Sequence, residues 1–148
     1  MRAALSGLAV LAFSCALVRG ADASCSSVVE MGTIAYDPQA DEPTRVPAAI
    51  DVRCSGPSQP KSVQIAIGSG ATGRASLRAL MADGPRALLY AIVLPDGRPW
   101  GDGSDGTSVQ TVTLERGRAR IPFLAVVEPH QRLPEGAYSD ALTVSLSY

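Results

Sequence analysis

Histidine, cysteine pairs and any excess of one charge are scarce in this 148-residue chain, and each scarcity excludes a class of chemistry. Three cysteines and the single histidine, His130, supply no second cysteine pair or histidine cluster to complete a tetrahedral zinc shell. A serine–histidine–aspartate site would have to use His130, yet the Gly-x-Ser-x-Gly elbow that presents such a serine does not occur. His130 itself sits between Pro129 and Gln131, in what reads as a surface loop. Two carboxylates for glycoside hydrolysis can come from distant strands, and nothing in the spacing nominates a pair. The 13 basic and 14 acidic residues are interspersed. With no basic face and no aromatic–arginine stripe, nucleic acid is not an expected partner. Internal repeats, heptads and low-complexity tails are also missing. The chain does not read as an enzyme, and no metal or cofactor is implied.

Long apolar runs are confined to the beginning. Arg2 is followed by an almost unbroken series of small and apolar residues from Ala3 to Val18, then by a small-residue cleavage site at Ala21-Asp22-Ala23. That order predicts a secretory signal peptide over residues 1–23 and not a spanning helix, for which it is too short and wrongly flanked. A buried N-terminal helix fits less well, because Arg19 and Asp22 close the run where a leader ends; Ala12-Phe13-Ser14 is a poor approach to a lipidated Cys15. Residues 24–148, about 125 in number, then form one domain on size grounds. No later run is long enough to cross a bilayer.

Loss of the leader removes Arg2, Arg19 and Asp22, leaving a net charge of about −2. It also removes Cys15. Cys25 and Cys54 remain as an even pair in an oxidising compartment, and a disulfide between them is expected over two free thiols or half a metal site. Such a bridge closes a loop of about 30 residues and contributes on the order of 3 to 4 kcal/mol.

Beyond the leader the apolar pattern has period two. Ile50, Val52 and Cys54 alternate with Asp51 and Arg53; Val63, Ile65 and Ile67 alternate with Gln64 and Ala66. Val109–Leu114 and Ala119–Val127 flank Glu115-Arg116-Gly117-Arg118, which reads as a hairpin turn. In the last stretch Leu142, Val144, Leu146 and Tyr148 share one face, with Thr143, Ser145 and Ser147 on the other. Turn residues interrupt these runs at Ser55-Gly56-Pro57, Gly68-Ser69-Gly70, Pro95-Asp96-Gly97, Gly101-Asp102-Gly103 and Leu133-Pro134-Glu135-Gly136. Seven or so short strands predict an all-β sandwich. Arg74–Met81 is the exception, where a helical turn or two is expected.

Three features invite a functional reading. Gly68-Ser69-Gly70-Ala71-Thr72-Gly73 has dinucleotide-binding spacing, but without further crossover helices it reads as a flexible β-turn. Asp96, Asp102 and Asp105 crowd an acidic loop whose spacing is not that of an EF-hand, so a glycine-rich turn is the better reading. Trp100, the sole tryptophan, is expected in the core with its ring N–H hydrogen-bonded.

Taken in order, Cys25, Tyr36-Asp37-Pro38, Val52-Arg53-Cys54, Gly68-Ser69-Gly70, Arg78-Ala79-Leu80-Met81, Leu88-Leu89-Tyr90, Trp100-Gly101-Asp102-Gly103 and Pro134-Glu135-Gly136-Ala137-Tyr138-Ser139-Asp140, with the alternating strand ending at Tyr148, form a succession. It resembles the spore coat protein U domain family, which includes subunits of archaic chaperone–usher pili. The likeness covers nearly all of 24–148. Ala91-Ile92-Val93-Leu94 departs from it by lacking a second tyrosine.

The resemblance implies an incomplete immunoglobulin-like β-sandwich, missing its final strand. It also implies an exported, non-catalytic pilus or coat subunit that passes through the periplasm to the cell surface and supports adhesion or biofilm formation. The implied partners are a periplasmic chaperone, an outer-membrane usher and neighbouring pilin subunits. Leu142, Val144, Leu146 and Tyr148 would form the interface read by the chaperone and by the next subunit. If cleavage follows Ala23, only Ser24 precedes Cys25, so the chain can accept a strand but hardly donate one; cleavage before Leu17 would restore a donor segment. The alternative expectation is a free-standing secreted β-sandwich binding module for a glycan or ion.

Overall fold

Alternation of apolar and polar side chains turns directly into strands with one buried face. The computed structural model describes residues 11–16, 23–31, 34–82, 86–134 and 138–148. Its strands are β1 (Leu11–Ala16), β2 (Ser24–Met31), β3 (Thr44–Ser55), β4 (Ser62–Ile67), β5 (Arg78–Met81), β6 (Ala87–Val93), β7 (Gln110–Thr113), β8 (Arg118–Val127) and β9 (Asp140–Ser147). In β4, Val63, Ile65 and Ile67 are buried while Ser62 and Gln64 are exposed. In β9, Asp140, Leu142, Val144 and Leu146 are buried, and Ala141, Thr143 and Ser147 face solvent. None of the helices among the described residues is long and apolar enough to cross a membrane.

The strands form two layers. One sheet has the order β1-β9-β4-β7 and the other β2-β3-β8-β6-β5. Every pairing between these strands is antiparallel except β1 with β9, which is parallel. The core lies between the layers, where Ile50, Val52, Ile65, Leu88, Val127 and Leu142 are almost fully excluded from solvent. Burial on this scale, at roughly 25 cal/mol per Å² of apolar surface, is the main stabilising term.

Trp100 fastens the two layers. Its ring N–H donates to the Ile65 carbonyl (3.1 Å), and its ring meets Phe123 edge-on at 5.7 Å between centroids. The backbone of the same loop joins both sheets: the Trp100 N–H donates to Ile92 O (3.0 Å), and Gly101 O accepts from the Ile67 N–H (3.0 Å). Trp100 is thus a core residue, as expected. Cys25 and Cys54 are directly opposite on β2 and β3 and are joined by a disulfide. The bridge holds the edge strand β2 to β3, its only paired neighbour among the described residues.

Two expectations need correction. Arg74–Met81 contains no helical turn; a short 3-10 turn at Gly70–Thr72 precedes it, and Arg78–Met81 is β5, paired antiparallel with β6. Arg78, Ala79 and Leu80 are all buried, and the sheet edge gives this apolar run its ladder, so tertiary packing overrides local helix preference. The second concerns Glu115–Arg118. The turn forms, with Arg116 (φ 51°) and Gly117 (φ 76°) both left-handed, closed by reciprocal bonds between Glu115 and Arg118 of 2.8 and 3.0 Å. Its flanking strands then part, β7 pairing with β4 and β8 with β3. The feature is a corner between the sheets, not a hairpin within one.

Candidate functional site: the edge of β9

The last strand has two unlike neighbours. On one side β4 pairs antiparallel with it from Gln64↔Ser147 to Ile67↔Val144, and the Gly68 N–H extends this contact to Thr143 O (2.8 Å). On the other side the neighbour is β1, in parallel register from Leu11↔Asp140 to Ala16↔Ser145. β1 therefore comes from the segment read as a leader; residues 1–10 and the cleavage region 17–22 lie outside the described residues. Without β1 this layer would be β9-β4-β7, and the β9 backbone over 140–145 would become an edge row of unpaired N–H and C=O groups.

The four residues named for this interface are placed as follows. Leu142, Val144 and Leu146 share the buried face of β9, at 1%, 1% and 2% exposure. Tyr148 stands half-buried beyond the strand end, its hydroxyl 3.4 Å from the Ala23 carbonyl it donates to. The first three thus sit directly on the strand flanked by β1, while Tyr148 lies against the chain just ahead of Cys25.

A polar cluster not singled out from sequence closes the start of β9. Tyr90 OH donates to Asp140 Oδ2 (2.8 Å). Arg78, fully buried, donates from Nε to Gly68 O (2.9 Å) and from one terminal nitrogen to Ile67 O (3.0 Å) and Trp100 O (3.4 Å); its other terminal nitrogen has no partner among the described residues. Burial pushes the Asp140 carboxyl above the ordinary carboxylate range, against the opposing pull of the Tyr90 hydroxyl, the Ala141 and Ala71 N–H groups and the Arg78 charge. Burial, reinforced by Asp140, also raises the Tyr90 phenol, and burial lowers the Arg78 guanidinium. Gly70, at φ 64°, approaches so closely that a Cβ there would lie 2.6 Å from Asp140 Oδ2. The cluster ties β4, β5, β6 and β9 together. Its sequence signals were Arg78, Tyr90 and Asp140 themselves, the last heading a strand whose inward positions are otherwise apolar.

The remaining candidates behave as turns. Asp96, Asp102 and Asp105 accept hydrogen bonds from Arg98, Ser104 and Ser76 respectively, which holds each carboxylate below the usual range. Among the described residues no group of three or more His, Cys, Asp and Glu is placed to hold a metal. His130 is exposed in a loop.

Along the chain come a disulfide from β2, the Trp100 loop, and a tyrosine–aspartate approach to an alternating last strand. The family model of the Spore Coat Protein U domain matches residues 3–145. The chain belongs to the Spore Coat Protein U domain family.

Among solved structures, this Spore Coat Protein U domain is similar to a chain in the CsuC–CsuE chaperone–tip adhesion subunit pre-assembly complex, from the archaic chaperone–usher Csu pili of Acinetobacter baumannii. The match has a TM-score of 0.56 at 19% identity, over 85% of this chain and 40% of that one. The likeness is one of fold, and the domain spans well under half of that chain's length. No curated protein sequence matches. Family and fold agree with the immunoglobulin-like, pilin-type sandwich carrying one disulfide.

Proposed function

We propose that residues 24–148 are a non-catalytic structural subunit of a surface pilus or coat, exported behind a leader at 1–23 and completed by a strand donated from another protein. The observation that carries this reading is the β9 edge: over residues 140–145 its outer neighbour is β1, which belongs to the segment expected to be removed. An edge backed by the buried Leu142, Val144 and Leu146 presents both unpaired backbone and apolar surface, and an added strand satisfies both. A periplasmic chaperone would fill the position first and a neighbouring subunit later, after delivery to an outer-membrane usher. Adhesion or biofilm structure is the role that such a fibre serves.

The same reading makes this subunit an acceptor. β2 starts at Ser24 and is laddered to β3 from Ser24↔Ser55 onwards, so a chain cleaved after Ala23 has no spare N-terminal arm to give. A terminal or minor position, or a member that does not polymerise, follows.

Producing the full chain in a periplasm with and without a co-produced chaperone of the archaic type tests the proposal. N-terminal sequencing of the exported protein should start at Ser24. The processed chain should be degraded or aggregated when alone and recovered as a one-to-one complex when the chaperone is present. A soluble, monomeric, cooperatively folding 24–148 without any partner would instead support the free-standing glycan- or ion-binding module.

A further inference from the structure

We propose that the cleft at the β7–β8 corner is a binding site for an acidic saccharide, a hexuronate unit whose carboxylate is held by Arg53 and Arg118. The site goes beyond the proposed function and does not depend on it. β7 and β1 are the two ends of one sheet, so the cleft and the outer edge of β9 lie apart and the two readings can fail separately.

The corner at Glu115–Arg118 creates the cleft. β7 departs to β4 and β8 to β3, and β6 pairs with β8 only over 124–127. Among the described residues the first half of β8 is therefore a free edge, as is the outer side of β7. Between them lies a cavity of about 500 Å³, within the size range of small-ligand sites. Val112 and Ala119 supply half-buried aliphatic surface, and Arg53, Thr113, Glu115 and Arg118 supply polar groups.

The two arginines are placed against the usual rules of a ladder. Arg53 and Arg118 are register partners on β3 and β8. The Cys54 N–H donates to Gly117 O (2.7 Å), which makes theirs the pair between ladder bonds, where Cα atoms approach to about 4.5 Å and side chains are closest. Like charges directly opposite destabilise a sheet. No acid offsets them: among the described residues neither arginine forms an ion pair, whereas Arg120, two positions along β8, is bonded by both Asp51 and Glu30. Two adjacent guanidinium groups without a partner form a fork suited to one carboxylate. The Arg120 N–H and C=O add a donor and an acceptor. By the alternation of the ladder they point away from β3, as those of Arg118 do, and β6 does not reach them.

The mixed signs of the lining select among anions. Glu115 stands in the same cleft with no basic partner among the described residues. A ligand with several negative charges, such as a phosphate ester or a run of acidic residues, would be repelled there. A uronate brings one carboxylate for the arginines and hydroxyls that donate to Glu115 or bond Thr113. Its C–H face suits Val112 and Ala119.

Isothermal titration calorimetry of the exported protein, in the form in which it is recovered, alone or with a chaperone, tests this. The probes are trimers of galacturonate and of mannuronate, their neutral methyl esters, inorganic phosphate and a polyglutamate peptide. At least one uronate trimer should bind with a Kd of about 1 mM or tighter. Arg53→Gln and Arg118→Gln should each weaken it at least about tenfold. Arg45→Gln, which changes an exposed arginine of β3 outside the cleft, should leave it unchanged. Because each cleft variant removes a repulsion at an exposed position, its urea midpoint should equal or exceed that of the native chain. Weaker binding of both trimers, methyl esters that bind as well as the acids, or an equal loss in Arg45→Gln would overturn the proposal. So would phosphate or the peptide binding more tightly than the uronates, or a lowered midpoint in both cleft variants.

Discussion

Arg78 and Asp140 are charged side chains drawn into the sandwich, and each is held by specific bonds. Arg78 donates to the carbonyls of Ile67, Gly68 and Trp100 and Asp140 accepts from Tyr90. Removing an ion from water costs several kcal/mol, so such groups persist where their bonds fix a geometry. Here that geometry is the start of β9. The Asp140 carboxyl is raised above its ordinary value of 3.8 because burial disfavours the charge. A raised acid binds its proton more tightly in the folded chain. Its stabilising contribution is therefore complete below 3.8 and is lost as the pH climbs through the folded value. Asp140→Asn should abolish this component. Urea unfolding across the acid range should show the stability of the native chain, relative to the variant, falling as pH rises past 3.8, and a constant difference would contradict it.

At the scale of strands, the disulfide is the clearest device. Among the described residues β2 pairs with β3 alone, and Cys25–Cys54 joins them across 29 positions of sequence. Replacing both cysteines by serine should lower stability by about 3 to 4 kcal/mol, measured as the urea midpoint at unchanged slope. Much of this architecture was legible beforehand. β4 and β9 alternate so regularly that period and burial coincide, and the sulfur pair followed from compartment and count. β5 was not legible: Arg78-Ala79-Leu80 has no period of two, because all three residues are buried where the edge strand meets the turn at Gly70–Thr72 and the start of β9. The β7–β8 corner was half-read, since the turn residues specify Arg116 and Gly117 but not which sheet each flanking strand joins. Pro47 and Pro122 show the same dependence on context. Proline is excluded from a central ladder, yet Pro122 lies outside the stretch of β8 paired with β6, and among the described residues Pro47 lies one residue past the last β2–β3 pair.

For the molecule as a whole, the two layers are unequally closed. Next to β5 the sandwich is sealed, because Met81 and Ser139 exchange hydrogen bonds of 2.6 and 2.8 Å and tie the edge of one sheet to the head of β9. Along the rest of β9, over 140–145, the outer position belongs to β1. Under the proposed function, a sheet that receives its last strand from another protein has a stability set by whichever strand is present, just as a ligand that binds only the folded state raises apparent stability. That makes strand supply, and not the identity of its residues beyond an alternating apolar pattern, the controlling variable. A strand of about eight alternating residues appended after Tyr148 through a short glycine-containing linker can turn back and pair antiparallel with β9. Built onto 24–148, it should yield a monomer that binds no dye for exposed apolar surface, where the proposed function expects 24–148 alone to aggregate and bind it. If the added strand contributes about 3 kcal/mol, the melting temperature should rise by roughly 10 °C. The control is the same appended strand with its inward positions changed to aspartate, which keeps length and linker but removes the apolar face. If both versions melt alike and neither suppresses dye binding, the β9 edge is not where the fold is incomplete.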